Sequence, residues 1–345
     1  MLFLFTLPGI VALYAGIYQD VLKPLQTSLE RSETAPPRVS TSENIPDRWA
    51  NNKIIIGGKN FLESNILLEM MALVIEADTE LIVERRYNSS HNDIWQMVEK
   101  GEIDIFAEYS GTILAHILGL PARQVRKGAF HKTDKINRLM SNRKITKSFE
   151  YLDRFGFSNS YVLVMLRSKA AELKILNKTG TATISDLAKI SKKLRLKAHP
   201  DFFKRSDGLP GLRKEYGLEV VQDYIIHHKK YNSLDKNETD VITGYETDPQ
   251  LQDPRYLQLK DDKHFFPPYF ADPFANKNLL IKFPKVRTSL ESIAGQISAT
   301  EMRTLITSGI EHQLNKNETS LSGSIEAQRK LESVVRKFLL RKGLL

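Results

Sequence analysis

Cysteine is absent from the 345 residues. That excludes disulfides, thiolate metal sites and a cysteine nucleophile, and it removes the thiol on which a lipid anchor is built. The G-x-S-x-G elbow, the phosphate-binding P-loop and the H-E-x-x-H metal motif are also missing, so the common hydrolytic and nucleotide chemistries leave no local signature. Gly57-Gly58 closes an apolar run but lacks the G-x-G-x-x-G spacing of a dinucleotide site. The eight histidines show no ligand pairing. His227 and His228 are adjacent, and on a strand adjacent side chains face opposite sides. No internal repeat is visible. Nothing in the chain calls for a metal or a cofactor.

What is present is ordinary in bulk. Hydrophobic residues make up 41% and charged residues 26%, as in a globular protein, and the length allows a sizeable core and two lobes. The formal net charge of +9 is uneven. Arg123, Arg126, Lys127, Lys132, Lys135, Arg138, Arg143, Lys144 and Lys147 face only Asp134 in their stretch. Arg329, Lys330, Arg336, Lys337, Arg341 and Lys342 form a second basic group on a C-terminal helix. Such runs serve as solvated helix faces or lie near anionic lipid or a membrane partner. No zinc ligands, RNA-binding consensus or stacking platform accompanies them, which argues against nucleic acid.

Met1 to Ile17 is almost wholly apolar, about the length of a signal-peptide core or a minimal membrane span. No Lys or Arg precedes it, and the position after Ala15 is a poor cleavage site. Lys23, Arg31 and Arg38 follow on its C-terminal side, an orientation signal that would leave the remainder in the cytoplasm. The segment 1–27 is therefore expected to be an anchor, a signal-like segment or the last helix of a permease. Residues 28–52, rich in Ser, Thr, Pro, Glu and Asn, read as a linker. Folding proper is expected from Lys53: strand, Gly57-Gly58 turn, then a helix opened by a capping-box pair, Asn60 and Glu63.

The most informative stretch is Gly101 to Thr112. The apolar run Ile103–Ala107 reads as a buried strand that stops in a polar loop carrying Glu108, Tyr109 and Thr112. Ligands in open α/β sheets bind outside the carboxyl ends of strands, where such loops converge. The arrangement recurs. Asp240–Thr243 ends in Gly244-Tyr245-Glu246-Thr247-Asp248, Gly156–Tyr161 leads into Val162–Leu166, and Phe265-Phe266-Pro267-Pro268-Tyr269 holds a tyrosine behind two prolines. Tyrosines at four changes of chain direction suit a cage, whose negative π-faces attract a cation with no N–H to donate. A quaternary ammonium compound has that chemistry.

These segments, with Lys59-Asn60-Phe61-Leu62-Glu63-Ser64 and Asp207-Gly208-Leu209-Pro210-Gly211-Leu212, occur in one order. Over residues 53–340 the chain resembles the substrate-binding proteins of osmoprotectant (glycine betaine, carnitine, choline) ABC importers. The resemblance implies an α/β fold: a two-lobe clamshell of the type II periplasmic-binding-protein kind with two hinge crossings. It implies lobe I from 53–155 and 250–345 with the C-terminal helix, and lobe II from 156–249. It places the cage at Tyr109, Tyr161, Tyr245 and Tyr269, and Thr112 at the ligand's carboxylate. The family's F-T-E-Q here reads Phe61-Leu62-Glu63-Ser64, so the short hydroxyl of Ser64 replaces a long amide; Asn159 is a further polar candidate. The implied partners are the ligand, an ABC permease with its ATPase, and the membrane through the N-terminal segment, on the extracytoplasmic face of the inner membrane. Arg205 and Asp207 read either as an ion pair bracing a turn or as part of a closing wall. Glu63, Glu108 and Glu246 lie near the cage, but no nucleophile stands beside them, so a binding protein is expected rather than an enzyme. The alternatives are a sensory or regulatory head for the same ligand, or a permease-fused domain for a different cation.

Overall fold

The computed structural model describes residues 46–89, 91–120, 122–126, 131–141, 148–225, 230–313 and 325–345. They carry two five-stranded sheets. The chain enters the first sheet at β1 (Lys53–Lys59) and passes through α1 (Leu62–Asp78) to β2 (Ile82–Ser89). It then runs through α2 (His91–Glu99) to β3 (Ile105–Tyr109) and on to the short β4 (Phe149–Tyr151). Next it crosses into the second sheet at β5 (Tyr161–Leu166), which is followed by β6 (Arg195–Ala198) and α3 (Leu209–Tyr216). The strands β7 (Val221–Tyr224), β8 (Val241–Tyr245) and β9 (Tyr256–Gln258) complete that sheet. It returns at β10 (Ala271–Asn276) and ends in α4 (Pro284–Ser292), α5 (Ala299–Gln313) and α6 (Ile325–Lys342).

The strand orders are β2-β1-β3-β10-β4 and β7-β6-β8-β5-β9. Each sheet opens with three parallel strands and continues with one antiparallel strand that has just crossed over, β10 in one and β5 in the other. Ile54, Ile55 and Ile56 of β1 are all buried, as a strand covered on both faces requires. The helix α1 is buried from Leu62 to Ile75, because α4, α5 and α6 pack on it opposite β1 and β2. A helix covered all round is apolar all round. Each of its buried Leu, Ile and Met side chains contributes about 1.5–3 kcal/mol. Its buried polar exceptions need partners, and Glu69 finds them in Arg85, at 2.9 Å, and the Tyr87 hydroxyl.

Three expectations are corrected. Residues 46–52 are not free linker: Asp47–Asn51 is a helical turn pinned by Trp49, which is 1% exposed and whose indole donates to Asp104 Oδ1 at 3.1 Å, and Arg48 Nε donates to the same carboxylate. The return crossing lies between Gln258 and Ala271 rather than at 250, because β9 pairs with β5 in the second sheet. The start of α1 carries no capping box: Phe61 is the N-cap without a side-chain bond, and the Glu63 carboxylate points elsewhere. The apolar segment Met1–Ile17, residues 28–45, His227, His228, Lys127, Arg143, Lys144 and Lys147 lie outside the described residues.

Candidate functional site

The topology brings the tyrosines to one place. Tyr109 ends β3 and Tyr245 ends β8, the third strands of their sheets. Since β10 and β5 run antiparallel to those strands, their beginnings lie beside these ends. Tyr161 is the register partner of Tyr245, and Ala271, two residues after Tyr269, is the partner of Tyr109. The rings of Tyr161 and Tyr245 lie 5.0 Å apart between centroids, and their hydroxyls are 3.5 Å apart. Phe202 and Phe266 support Tyr161 from behind at 5.4 and 6.1 Å. Two of the tyrosines also carry a lysine over the ring, Lys59 at 5.5 Å from Tyr109 and Lys230 at 4.9 Å from Tyr245.

Those lysines are neutralised. Lys59 is buried with Glu108, whose Oε1 also accepts from the Tyr109 N–H at 2.7 Å and whose Oε2 accepts from Trp95 at 3.2 Å. Lys230 pairs with Asp248 at 2.6 Å, and Asp248 also accepts from the Tyr231 hydroxyl and the Tyr245 N–H. Buried pairs of this kind persist only with such extra hydrogen bonds.

Glu63 joins the segments. Its Oε1 accepts from the Tyr109 hydroxyl and, at 3.1 Å, from Asn159 Nδ2. Asn159 Oδ1 accepts in turn from the Thr247 N–H at 3.4 Å. Glu63 Oε2 is buried and, among the described residues, has no hydrogen-bond partner within 3.5 Å. Burial pushes the Glu63 carboxyl up to about 7, although the Thr247, Tyr109 and Asn159 side chains around it favour the charged form.

Tyr269 spans the two halves. Its ring packs where a Cβ on Gly111 would sit, 2.6 Å from the nearest ring carbons. Its hydroxyl receives a hydrogen bond from Arg205 at 3.1 Å and donates one to Asp207 Oδ2 at 3.1 Å. Arg205 and Asp207 are an ion pair, with Nε to Oδ1 at 2.8 Å. Burial alone would raise the Asp207 carboxyl, but the guanidinium beside it holds it below the usual carboxylate range. The turn before α3 is thus braced by this pair and also faces the site. Arg126 with Glu215, at 3.2 Å, and Arg303 with the Glu246 carbonyl, at 2.8 Å, add links between the halves. The crossing from β4 bends at Gly156, whose φ of +122° and 2.8 Å Cβ approach to the Ile297 carbonyl exclude a side chain.

The other expected residues divide. Thr112, half-buried, lies in the short turn Ser110–Thr112 directly after Tyr109 and next to Gly111. Ser64 is 1% exposed and its hydroxyl accepts from the Lys59 N–H at 2.9 Å, so it braces the turn after β1. Lys59 and Lys230 are residues at the site that sequence reasoning gave no role, and Glu63 was read as a helix cap near the cage rather than as part of it. Lys59 and Glu63 both sit in the quoted Lys59–Ser64 segment, where a capping signal concealed Glu63. Among the described residues no group of three or more His, Asp or Glu is placed to hold a metal ion.

Two sheets joined by two crossings, with aromatic strand ends converging between them, define a two-lobe solute-binding protein of the type II kind. The chain belongs to the family described as the substrate binding domain of the ABC-type glycine betaine transport system, whose model matches residues 52–317. It is 31% identical over 282 residues to the carnitine transport binding protein OpuCC of Listeria monocytogenes (strain 10403S), covering 77% of this chain and 84% of that one. It is 28% identical over 260 residues to the ergothioneine transport permease/ergothioneine binding protein EgtU of Helicobacter pylori (strain G27), covering 73% of this chain and 43% of that longer relative. A crystal structure of a glycine betaine/carnitine/choline ABC transporter superposes with a TM-score of 0.69 at 26% identity, over 84% of this chain and 99% of that one. The chain is a transport substrate-binding protein and not an enzyme. Such proteins work on the extracytoplasmic side of the membrane. No helix among the described residues is long and apolar enough to cross a membrane.

Proposed function

We propose that this chain captures a quaternary ammonium osmoprotectant, of the glycine betaine, carnitine or choline type, between Tyr109, Tyr161, Tyr245 and Tyr269 and delivers it to an ABC permease with its ATPase. The observation that carries the reading is the pairing of strand ends, which sets Tyr161 against Tyr245 and draws Tyr109 and Tyr269 to the same edge. Each well-placed ring stabilises a cation by about 0.5–2 kcal/mol, more where water is excluded. Thr112 and Asn159 supply polar contacts to the ligand's other end, and Ser64 acts by holding the turn that presents Lys59. Both lobes contribute rings, so the ligand favours the closed form. The apolar N-terminal segment tethers the domain near its permease.

Calorimetric titration with glycine betaine, carnitine, choline and ergothioneine tests the ligand class, and solution scattering with and without the binder tests closure. Saturable binding of at least one of them, with compaction, is expected. Absence of binding across the panel refutes the ligand class, and unchanged scattering at saturation refutes closure.

A further inference from the structure

The acidic groups around the tyrosines are not equal. Glu108 is paired with Lys59, Asp207 with Arg205 and Asp248 with Lys230. Glu246 accepts the Ser160 N–H at 3.1 Å and has Arg303 nearby. Glu63 is buried among segments that carry three of the tyrosines and makes no ion pair with a described cation; Tyr109 and Asn159 hold one of its oxygens, the Thr247 side chain lies beside the carboxyl, and the other oxygen is buried with no hydrogen bond within 3.5 Å among the described residues. An uncompensated carboxyl beside electron-rich rings is incomplete until a positive charge arrives.

Resting on the ligand class proposed above, we propose that Glu63 is the counter-ion of the cage: in the empty protein it retains its proton, and it loses that proton to solvent when a permanently cationic ligand enters. No bond to the ligand forms; a carboxylic acid becomes a carboxylate and a buffer base takes the proton. The empty site favours the acid because burial penalises the charge and Asp248, on the loop after β8, repels it. Tyr109, on β3, stays neutral, since burial and the Glu108 carboxylate hold its hydroxyl well above its ordinary value. Lys59 and Arg205 are committed to Glu108 and Asp207, and Arg303, on α5, reaches the Glu246 carbonyl. None of these cations relieves Glu63. A trimethylammonium group does, because it carries a charge that no pH change removes.

The test is calorimetric titration of the full chain with choline, and with glycine betaine if choline does not bind, at about pH 6 and pH 8 in two buffers of different ionisation enthalpy. Linkage to a single proton predicts binding about tenfold tighter at the higher pH. It also predicts a buffer-dependent heat at the lower pH that reports proton release. Glu63→Gln should remove both dependences. Where that variant fails to fold, loss of the protonated-carboxyl infrared band on ligand addition to the natural protein decides the matter. Binding at equal affinity with no buffer-dependent heat overturns the proposal and leaves the ligand class standing, as does proton release that persists in Glu63→Gln. Absence of binding by both ligands at both pH values overturns it through the ligand class itself.

Discussion

Gly111→Ala is the most economical probe of how the site is assembled. The added Cβ would fall 2.6 Å from Tyr269 Cδ1 and Cε1 and 2.7 Å from Cζ, well inside contact distance, so the ring must swing away. Swinging removes one aromatic face, about 0.5–2 kcal/mol of cation attraction. It also breaks the hydroxyl's bonds to Arg205 and Asp207, each worth about 1.5–3 kcal/mol when one partner is charged. Part of the second loss falls on the empty protein as well as the bound one. The net loss of affinity is therefore about 1–3 kcal/mol, roughly 5- to 150-fold. Overpacking should cost about 1–3 kcal/mol of stability. Titration of the variant with its best ligand, alongside thermal unfolding, measures both. Gly111→Ala combined with Tyr269→Ala should regain stability, because the smaller side chain leaves room, without regaining affinity. Unchanged ligand affinity in Gly111→Ala would refute the reasoning, since it would mean that Tyr269 contributes nothing from its observed position.

Replacing Tyr161 or Tyr245 by Ala should weaken binding by about 1–3 kcal/mol, whereas Phe, which retains the face, should lose less; equal losses for Ala and Phe by calorimetry would count against a π-face role. Breaking the buried Lys59–Glu108 pair with Lys59→Met should destabilise the fold by about 3–5 kcal/mol because it leaves a buried charge alone, and adding Glu108→Gln should recover much of it in denaturant titrations. The pH dependence of stability has a definite sign at Glu63. The folded protein holds this proton up to about 7 against an ordinary value of 4.5, so its contribution falls as pH rises through that window and is level above it, by about 3 kcal/mol in all. Glu63→Gln should therefore gain stability relative to the natural protein between pH 5 and 8, as measured by denaturant midpoints; a constant difference across that range would contradict the shift.

Much of the fold was legible because its signals are local. Ile54–Ile56, Phe106–Ala107 and Val162–Val164 are short β-branched or aromatic runs bounded by glycine or polar turns, and all lie in strands. Misreadings arose where a local signal and a distant partner disagreed. Asn60 and Glu63 have the spacing of a capping box, yet Tyr109 and Asn159, 46 and 96 residues away, claim the carboxylate. The polar residues 46–52 look solvated until Trp49 and Arg48 meet Asp104, more than 50 residues on. The three residues of β9 are too few for an alternation to register, so the return crossing was placed early.

The sequence by itself determined that four tyrosines stand at strand ends or sharp bends, that no thiol chemistry is available, and that the chain alternates strands and helices. These follow from residue type and short-range periodicity, which the backbone obeys locally. Only the tertiary structure decided that β5 lies antiparallel to β8 in a register that sets Tyr161 against Tyr245, and that β10 lies antiparallel to β3 so that Tyr269 falls beside Gly111. Only it decided that Lys59, Lys230 and Arg205 are each neutralised by a carboxylate while Glu63 has no ion-pair partner among the described residues. The physical reason is that register and charge pairing join residues far apart in the chain. Their free energies depend on burial and on a few ångströms of distance, neither of which is written in any short stretch of sequence.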